Sequence, residues 1–239
     1  STIAVNDTAG FSYGTYTGTG DAADSFGHGI TGTPEFVIVK QLTDASTNWI
    51  VYHEDQNATP EDYYLRLNTN DVPADLNTMW NDTAPSSTTV TLGTNAEVNG
   101  DGKNFVFYAF RSISGFSSFG SYEGNNATNG TLITLDFAPA LVVCKNIDTT
   151  SGGNWWTVDR ARDTYNSADK ELLIDTTSIE DYDLGAVTLD FLSNGFKMRC
   201  SGGGSPNSSH TFVYMAWAEN PFGGHGGTFG SGVAPATAR

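Results

Sequence analysis

The stretch FVFYAF, Phe105–Phe110, is matched 107 residues later by FVYMAW, Phe212–Trp217. Neither stretch alternates between apolar and polar residues, so each predicts a strand that is apolar on both faces. Such a strand needs cover on its second face, and the sequence leaves three sources open: a long loop, the other copy, or another subunit. The pair indicates that the chain repeats itself.

Further matches at nearly the same offset extend the repeat over most of the chain. The offset stays between 105 and 107, which chance matches would not do. The matched pairs are GTYTG with GSYEG (Gly14–Gly18, Gly120–Gly124), TPEFVIVK with APALVVCK (Thr33–Lys40, Ala138–Lys145), NWIVY with NWWTV (Asn48–Tyr52, Asn154–Val158) and LRLNT with LLIDT (Leu65–Thr69, Leu172–Thr176). A period this long predicts two domains, each with its own core.

Each matched block reads as a short strand bounded by Gly, Pro, Asn or Asp. Helical periodicity is missing between the blocks, and glycine is abundant, at 27 residues. The sequence therefore predicts an all-β fold of two tandem β-sandwich, jelly-roll-like domains from an internal duplication, with a closed barrel as the alternative. The predicted divisions are an N-terminal arm over 1–10, modules over 11–115 and 116–222, and a glycine-rich tail over 223–239.

Acidic residues dominate the charge, because 27 Asp and Glu against 11 Lys and Arg give a net charge of −16. Nucleic acids and anionic membrane surfaces repel such a chain, so neither is an expected partner. The longest apolar run, Phe212–Ala218, is too short for a membrane span, and no membrane insertion is expected. The chain begins at Ser1 rather than Met, which predicts processing or excision.

Residues that carry covalent chemistry show none of the spacings of an enzyme motif. The four histidines are scattered, and no nucleophile elbow, P-loop or dinucleotide-binding glycine motif occurs. The acidic groups in DRARD, Asp159–Asp163, and in Glu180, Asp181 and Asp183 are predicted to form Arg–Asp surface pairs and a solvated loop. The sequence therefore predicts a protein that is not an enzyme.

The two cysteines, Cys144 and Cys200, are too few for a disulfide framework. They either pair with each other or sit reduced in a core, and the sequence does not decide between these alternatives.

Oxygen-rich loops provide candidates for a structural calcium ion. They are Asp21 and Asp24 in GDAAD, and Asn99 and Asp101 in NGDG. Ca²⁺ takes carboxylate, amide and carbonyl oxygens as ligands, but neither loop has the regular spacing of a calcium-binding loop. No other cofactor is expected.

Tryptophans that the repeat does not match are the candidates for ligand binding. Trp49 and Trp155 occupy equivalent positions, which predicts that both belong to the shared core. Trp80 and Trp156 have no aromatic counterpart in the other copy. We therefore expect these two to be exposed platforms that stack on a sugar ring, with interface packing as the alternative.

The two ends of the chain lie outside the repeat and are the expected assembly contacts. Ile3 and Val5 alternate as in an edge strand, and Phe229 and Val233 are the large apolar residues of the tail. Strands and clasps of this kind can be added to a neighbouring sheet. The ends therefore predict contacts between copies of the chain, in a homo-oligomer or polymer.

A set of phrases resembles an uncharacterised repeated domain of tail-fibre-like and other virion proteins of marine bacteriophages, notably cyanophages. The phrases are GTYTGTG, GHGI, PEFVIVK, NWIVYH, WNDTAP, TLGTNAEVNG, GFSSFGSYEGN, DFLSNGFKMR and YMAWAENPF. The resemblance covers the chain from about Gly10 to Phe222, and the ending GVAPATAR is similar to the end of such proteins. It implies a virion-borne or secreted β-sandwich pair, and it carries over no catalytic residue.

The residues and the resemblance together favour a non-enzymatic virion structural and adhesion protein. Its expected place is a tail fibre or receptor-binding component, on the virion or outside the cell. Its expected partners are further copies of itself, other virion proteins and host-surface glycans. The alternative is a capsid decoration protein or a self-assembling extracellular filament subunit. A glycan-degrading enzyme comes last, because catalytic motifs are missing.

Overall fold

Antiparallel β-sheets make up nearly all of the regular structure, which confirms the predicted all-β class. The computed structural model describes residues 2–150, 153–180 and 187–223. The chain divides into two compact units, Ser1–Ser112 and Ile113–Arg239, called unit 1 and unit 2 below. Phe229 and Val233, like Asp181 and Asp183, lie outside the described residues.

Unit 1 is built from short strands joined by turns. Its strands are β1 (Thr2–Asn6), β2 (Phe11–Thr17), β3 (Asp24–Gly27), β4 (Phe36–Gln41), β5 (Trp49–His53), β6 (Tyr63–Arg66), β7 (Ala74–Asp75), β8 (Thr89–Leu92) and β9 (Asn104–Phe110). Its helical turns are α1 (Ala96–Asn99) and the 3-10 turns Asp7–Ala9 and Pro60–Asp62. Seven strands form a sheet in the order β1-β2-β9-β4-β5-β6-β7, and β3 pairs with β8. Within the described part of unit 1 the large sheet has two ends, β1 and β7, so it does not close into a barrel.

Unit 2 has a five-stranded and a three-stranded sheet. Its strands are β10 (Ser117–Glu123), β11 (Leu132–Thr134), β12 (Pro139–Asn146), β13 (Trp155–Asp159), β14 (Leu172–Leu173), β15 (Leu189–Leu192), β16 (Gly195–Met198) and β17 (Thr211–Ala218), followed by the 3-10 turn Pro221–Gly223. The larger sheet has the order β10-β17-β12-β13-β14, and the smaller has the order β11-β16-β15.

The strand orders of the two units correspond. The order β2-β9-β4-β5-β6 in unit 1 matches β10-β17-β12-β13-β14 in unit 2, and the pairing of β3 with β8 matches that of β11 with β16. Unit 1 adds β1 and β7 to its large sheet, whereas unit 2 adds β15 to its small one. A duplicated sequence would give this correspondence, and the duplication itself stays a prediction.

The core of each unit lies between its large and its small sheet, in a sandwich-like arrangement. In unit 1, Val37, Ile50 and Phe105 from the large sheet share a cluster with Phe26 and Val90 from the small one. The corresponding cluster in unit 2 combines Val142, Trp156 and Phe212 with Leu189 and Phe196. Alternate residues of each strand thus supply the core, because successive side chains of a strand point to opposite faces.

The motif Gly-x-Tyr-x-Gly occurs at Gly14–Gly18 and at Gly120–Gly124, where it begins on β2 or β10 and ends one residue after that strand. In each unit it holds the end of the strand against a distant loop. The Tyr16 hydroxyl donates to the Val98 carbonyl at 2.6 Å, and the Tyr122 hydroxyl donates to the Pro206 carbonyl at 2.5 Å. Burial raises the pKa of both phenols well above its ordinary value, so both remain donors. A Cβ on Gly18 would lie 2.6 Å from a backbone carbonyl oxygen of that loop, which explains the second glycine.

A buried asparagine follows the accepting carbonyl in unit 1 and ties three segments together. Asn99 accepts from the Thr19 N–H at 2.9 Å through Oδ1. Its Nδ2 donates to the carbonyls of Asp21 and Gly93, at 2.9 Å each. We call this set of bonds the asparagine clasp.

Unit 2 has the same kind of clasp around Asn207, which follows Pro206 and is buried. Its Nδ2 donates to the carbonyls of Ala127 and Cys200, at 2.8 Å each. Both clasps therefore join the loop after β2 or β10 to the loop before β9 or β17.

The two apolar runs differ in how far their second faces are covered. On β17, every residue from Phe212 to Ala216 is buried, so both faces of that strand are shielded. On β9, Phe105, Phe107 and Ala109 are buried, whereas the residues between them are half-buried. The second face of unit 1 is therefore the more accessible one, and the source of cover stays a prediction.

The N-terminal arm forms strand β1 and pairs with β2 of its own unit. Its register places Ile3 opposite Gly14 and Val5 opposite Ser12. Ile3 consequently packs against the core of unit 1, and its role as an assembly contact stays a prediction. Val5 is exposed, and its role in assembly stays a prediction.

Candidate binding face

Trp80 and Trp156 are buried, so the prediction of two exposed sugar platforms is wrong. Trp80 is 1% exposed and Trp156 is 4% exposed. Trp80 belongs to the core of unit 1, where it meets the ring of Tyr52 edge-on at 6.1 Å between centroids. Trp156 belongs to the core of unit 2, with its ring 6.2 Å from that of Phe212.

Trp156 is buried because its strand position is a core position in both units. When NWIVY is aligned with NWWTV, Trp156 has the position that Ile50 has in unit 1, and Ile50 is a core residue there. A comparison restricted to aromatic residues misses this match, since aliphatic and aromatic side chains fill the same kind of site. Trp80 follows Met79 in a loop, and both side chains pack into the core beneath that loop.

Trp49 is exposed, although its equivalence to Trp155 predicted that both are core. Its exposed fraction is 36%, whereas that of Trp155 is 0%. Trp49 begins β5, lies opposite Lys40 of β4, and donates its backbone N–H to Asn68 Oδ1 at 3.0 Å. The core prediction is therefore confirmed for Trp155 and wrong for Trp49.

Trp49 is one corner of a broader surface on the side of the large sheet that faces away from the core of unit 1. The register of four neighbouring strands places Thr15, Val106, Lys40 and Trp49 in one row across the sheet. Since neighbouring strands lie about 4.8 Å apart, this row is about 14 Å long.

A second row, two residues further along the strands, contains Tyr13 and Tyr108. Their rings are stacked, with 6.5 Å between centroids and 29° between planes. Tyr13 is 48% exposed, and Phe11 continues the stack at 6.0 Å from it. Aromatic rings held side by side on a sheet offer flat apolar area at low entropic cost.

We call this surface the outer aromatic face. It comprises Tyr13, Thr15, Lys40, Trp49, Val106 and Tyr108. None of the six is a predicted ligand-binding residue, because the prediction rested on tryptophans that have no aromatic counterpart in the other copy. The feature that points to the face is the burial pattern of β9, in which fully buried residues alternate with half-buried ones such as Val106 and Tyr108.

Of the six corresponding side chains in unit 2, five are buried, and Ser121, at the position of Thr15, is exposed. Phe119 stands at the position of Tyr13, Lys145 at that of Lys40, and Trp155 at that of Trp49, and all three are buried. The same strand positions are thus much more accessible in unit 1 than in unit 2. Exposure, rather than residue type, separates the two copies.

The predicted calcium ligands lie near one another, but Asn99 is engaged in the clasp. Its Oδ1 accepts from a backbone N–H, and Asp24 Oδ2 accepts from the Thr19 hydroxyl at 2.9 Å. Asp21 contributes its carbonyl to the clasp, and Asp101 is exposed. Within the described ranges, no three His, Cys, Asp or Glu side chains are placed to hold a metal ion. Hydrogen bonds of the Asn99 side-chain amide therefore hold the loop, and a calcium ion stays a prediction.

The DRARD segment forms ion pairs, as predicted. Arg162 contacts Asp159 at 2.6 Å and Glu180 at 3.1 Å. Arg160 contacts Glu219 at 2.7 Å. These carboxylates are paired with guanidinium groups near the surface.

The two cysteines are reduced and buried in the core of unit 2. Burial raises the pKa of Cys144 to about 12 and also raises that of Cys200. Of the two alternatives left open by the sequence, the reduced core thiol is therefore the one observed. Protonated thiols of this kind are poor nucleophiles.

The sequence profile of a family described as Domain of unknown function (DUF7483) matches residues 1–221. The chain belongs to the DUF7483 family. The match runs through unit 1 and most of the described part of unit 2, so both units belong to the DUF7483 pattern. No curated protein matches the chain. No solved structure matches it either.

In this DUF7483 chain, no helix of the described residues is long and apolar enough to cross a membrane. The outer aromatic face is the candidate binding surface in the described part of this DUF7483 chain. It combines exposed rings, a regular sheet beneath them and hydroxyl groups at its border.

Proposed function

We propose that this DUF7483 protein is a non-enzymatic adhesion protein that binds surface glycans through the outer aromatic face. The observation that carries the proposal is the stacked pair Tyr13 and Tyr108, with Trp49 exposed on the same face of the sheet. Sugar rings present apolar C–H faces, which planar aromatic side chains can bury. The hydroxyl groups of the sugar then remain in contact with water. A rigid sheet keeps the rings in place before the ligand arrives.

The proposed setting is a virion, with the protein as part of a tail fibre or receptor-binding component. This setting rests on the sequence resemblance to marine phage virion proteins. Host attachment by a tail fibre requires many copies and a modest affinity in each, which suits a shallow face better than a deep pocket. Further copies of the chain and other virion proteins are the partners proposed with it.

The test is binding of the purified protein to an array of bacterial surface polysaccharides. We expect Tyr13→Ala and Trp49→Ala each to weaken binding by about tenfold, the effect of about 1.4 kcal/mol of lost stacking. Tyr165→Ala is the matched control, because Tyr165 is 83% exposed but lies in unit 2. Binding that all three variants retain would refute the proposed face, and the absence of binding to every glycan would refute the function.

A second candidate function is self-assembly, as a capsid decoration protein or a filament subunit. It is favoured by β1, which ends the large sheet and carries no charged residue or proline in its sequence TIAVN. Natural proteins usually protect such an edge with Lys, Pro or a bulge. Ordered polymers in negative-stain microscopy that disappear in Ala4→Pro would support this function.

A further inference from the structure

On the basis of the proposed glycan-binding function, we infer that the ligand of the outer aromatic face is an uncharged polysaccharide. The ligand lies across β2, β9, β4 and β5. The inference concerns the chemical class of the glycan and follows from the charged and polar groups of the face.

Lys40 is the only charged side chain among the six residues of the face, and its ammonium group is already bonded. Its Nζ donates to the Thr47 carbonyl and to the Thr47 hydroxyl, at 2.7 Å each, and to the Asp44 carbonyl at 3.5 Å. A lysine has three N–H donors, so these bonds use all of them. An anionic sugar would have to break this arrangement to gain a cationic partner.

A second lysine, Lys103, lies near this end of the face, and the carboxylate of Asp44 offsets its positive charge. The pKa of Asp44 is lowered, first by hydrogen bonds from Ser46 and then by the charges of Lys103 and Lys40. Asp44 thus lies within electrostatic reach of both lysines. The lysine end of the face therefore carries little net positive charge.

The opposite end of the sheet is acidic. Glu35 precedes β4 and Glu54 follows β5, and the Glu54 N–H donates to the Glu35 carbonyl at 2.9 Å. Burial, and then the charges of Glu35 and Asp55, raise the pKa of Glu54 to about 7. The charges of Glu35 and Asp55 thus act on Glu54, and a cluster of carboxylates produces a negative potential, which repels carboxylated or sulfated glycans. The net charge of −16 acts in the same direction at longer range.

Neutral hydrogen-bonding groups border the aromatic rings. The Thr17 hydroxyl, which is exposed, donates to Asn104 Oδ1 at 3.0 Å, and Thr15 is exposed beside Tyr13 on the same face. Next to Trp49, the exposed amide of Asn68 accepts from the Trp49 N–H and donates to Asn48 Oδ1 at 2.9 Å, which leaves a second N–H on its Nδ2. Hydroxyl and amide groups are the partners that uncharged sugar hydroxyls need, because each can both donate and accept.

The experiment compares paired polysaccharides that share a backbone and differ only in charge. Native and sulfated glucan, galactan and mannan, and native and carboxymethylated cellulose, are immobilised and probed with the full chain and with Tyr13→Ala, Trp49→Ala and Tyr165→Ala. We expect the chain to bind native members, with an affinity that changes less than about twofold as salt is raised, because no ion pair is formed.

The outcomes separate the inference from the proposed function. Binding that favours native members and weakens about tenfold in Tyr13→Ala and Trp49→Ala supports both. Stronger binding to the sulfated or carboxymethylated members, weakened by the same substitutions and by salt, overturns the inference and leaves glycan binding in place. Absence of binding to all members overturns both, as does binding that is unaffected by either substitution.

Discussion

Replacing Asn99 by alanine should destabilise unit 1 more than any substitution of an exposed polar residue. Asn99→Ala removes three side-chain hydrogen bonds of the clasp, to the Thr19 N–H and to the carbonyls of Asp21 and Gly93. Each bond contributes a net of about 1 kcal/mol, and buried partners left without a bond add to the cost. We expect a loss of about 3 kcal/mol in the free energy of unfolding, or roughly 10 °C in Tm.

The assay is urea unfolding followed by tryptophan fluorescence, because Trp80 lies in the core of unit 1. Asn57→Ala is the matched control, since Asn57 is exposed and its side chain makes one long bond, to the Thr59 N–H at 3.4 Å. Asn99→Asp adds a test of geometry. The carboxylate would face two carbonyl oxygens, so the loss should exceed that of Asn99→Ala at neutral pH and shrink in acid, where the protonated group can donate one bond.

The reasoning would be refuted if Asn99→Ala and Asn57→Ala had free energies of unfolding within about 0.5 kcal/mol of each other. That result would mean that water replaces the clasp at little cost. An Asn99→Asp variant as stable as the natural protein at neutral pH would contradict the assignment of Nδ2 as the atom that faces the two carbonyls.

Two further predictions follow from burial and charge. Trp155→Ala should cost about 4 kcal/mol of stability because the side chain is fully buried, whereas Trp49→Ala should cost less than about 1 kcal/mol. Thermal unfolding of the two variants measures both losses. Equal losses would contradict the exposure of Trp49. The pKa of Glu54 is about 7 when folded and 4.5 when unfolded, so its contribution to stability is complete below pH 4.5 and is lost as pH rises through 7. Glu54→Gln should therefore raise stability at pH 8, by no more than about 1 kcal/mol because the carboxyl is partly solvent-exposed. At pH 4.5 the substitution should leave stability unchanged. A gain at pH 4.5 that equals the gain at pH 8 would contradict the expected loss of stability as Glu54 ionises.

Strand positions could be predicted from the sequence because short apolar blocks between turn residues have few other ways to bury their side chains. FVFYAF and FVYMAW lie in β9 and β17, each between two other strands of a sheet, where both neighbours satisfy the backbone. The all-β class follows from the same blocks. Which face of a strand is covered depends on the rest of the chain, and no local pattern contains that information.

The candidate site could not be predicted for the same reason. Trp49 and Trp155 share a sequence context, yet one is exposed and the other fully buried. Trp80 and Trp156 are unmatched by aromatic residues, yet both are core: Trp156 takes the position that the aliphatic core residue Ile50 has in unit 1, and Trp80 packs into the core beneath its loop. A comparison of the two halves that asks only for hydrophobic volume would have placed Trp156 with Ile50.

The tyrosine bonds beside the clasps impose an order on how the chain becomes structured as it is made. Tyr16 bonds to Val98, 82 residues later, and Tyr122 bonds to Pro206, 84 residues later. Contacts of such high sequence separation form slowly, because a long loop must close before the bond contributes. On the ribosome, unit 1 cannot complete its core until the strand that follows Val98 has left the exit tunnel. A pause before that strand has left the tunnel would thus expose an unfinished sheet to chaperones, whereas a pause after Ser112 has left the tunnel would leave unit 1 with all of its strands outside.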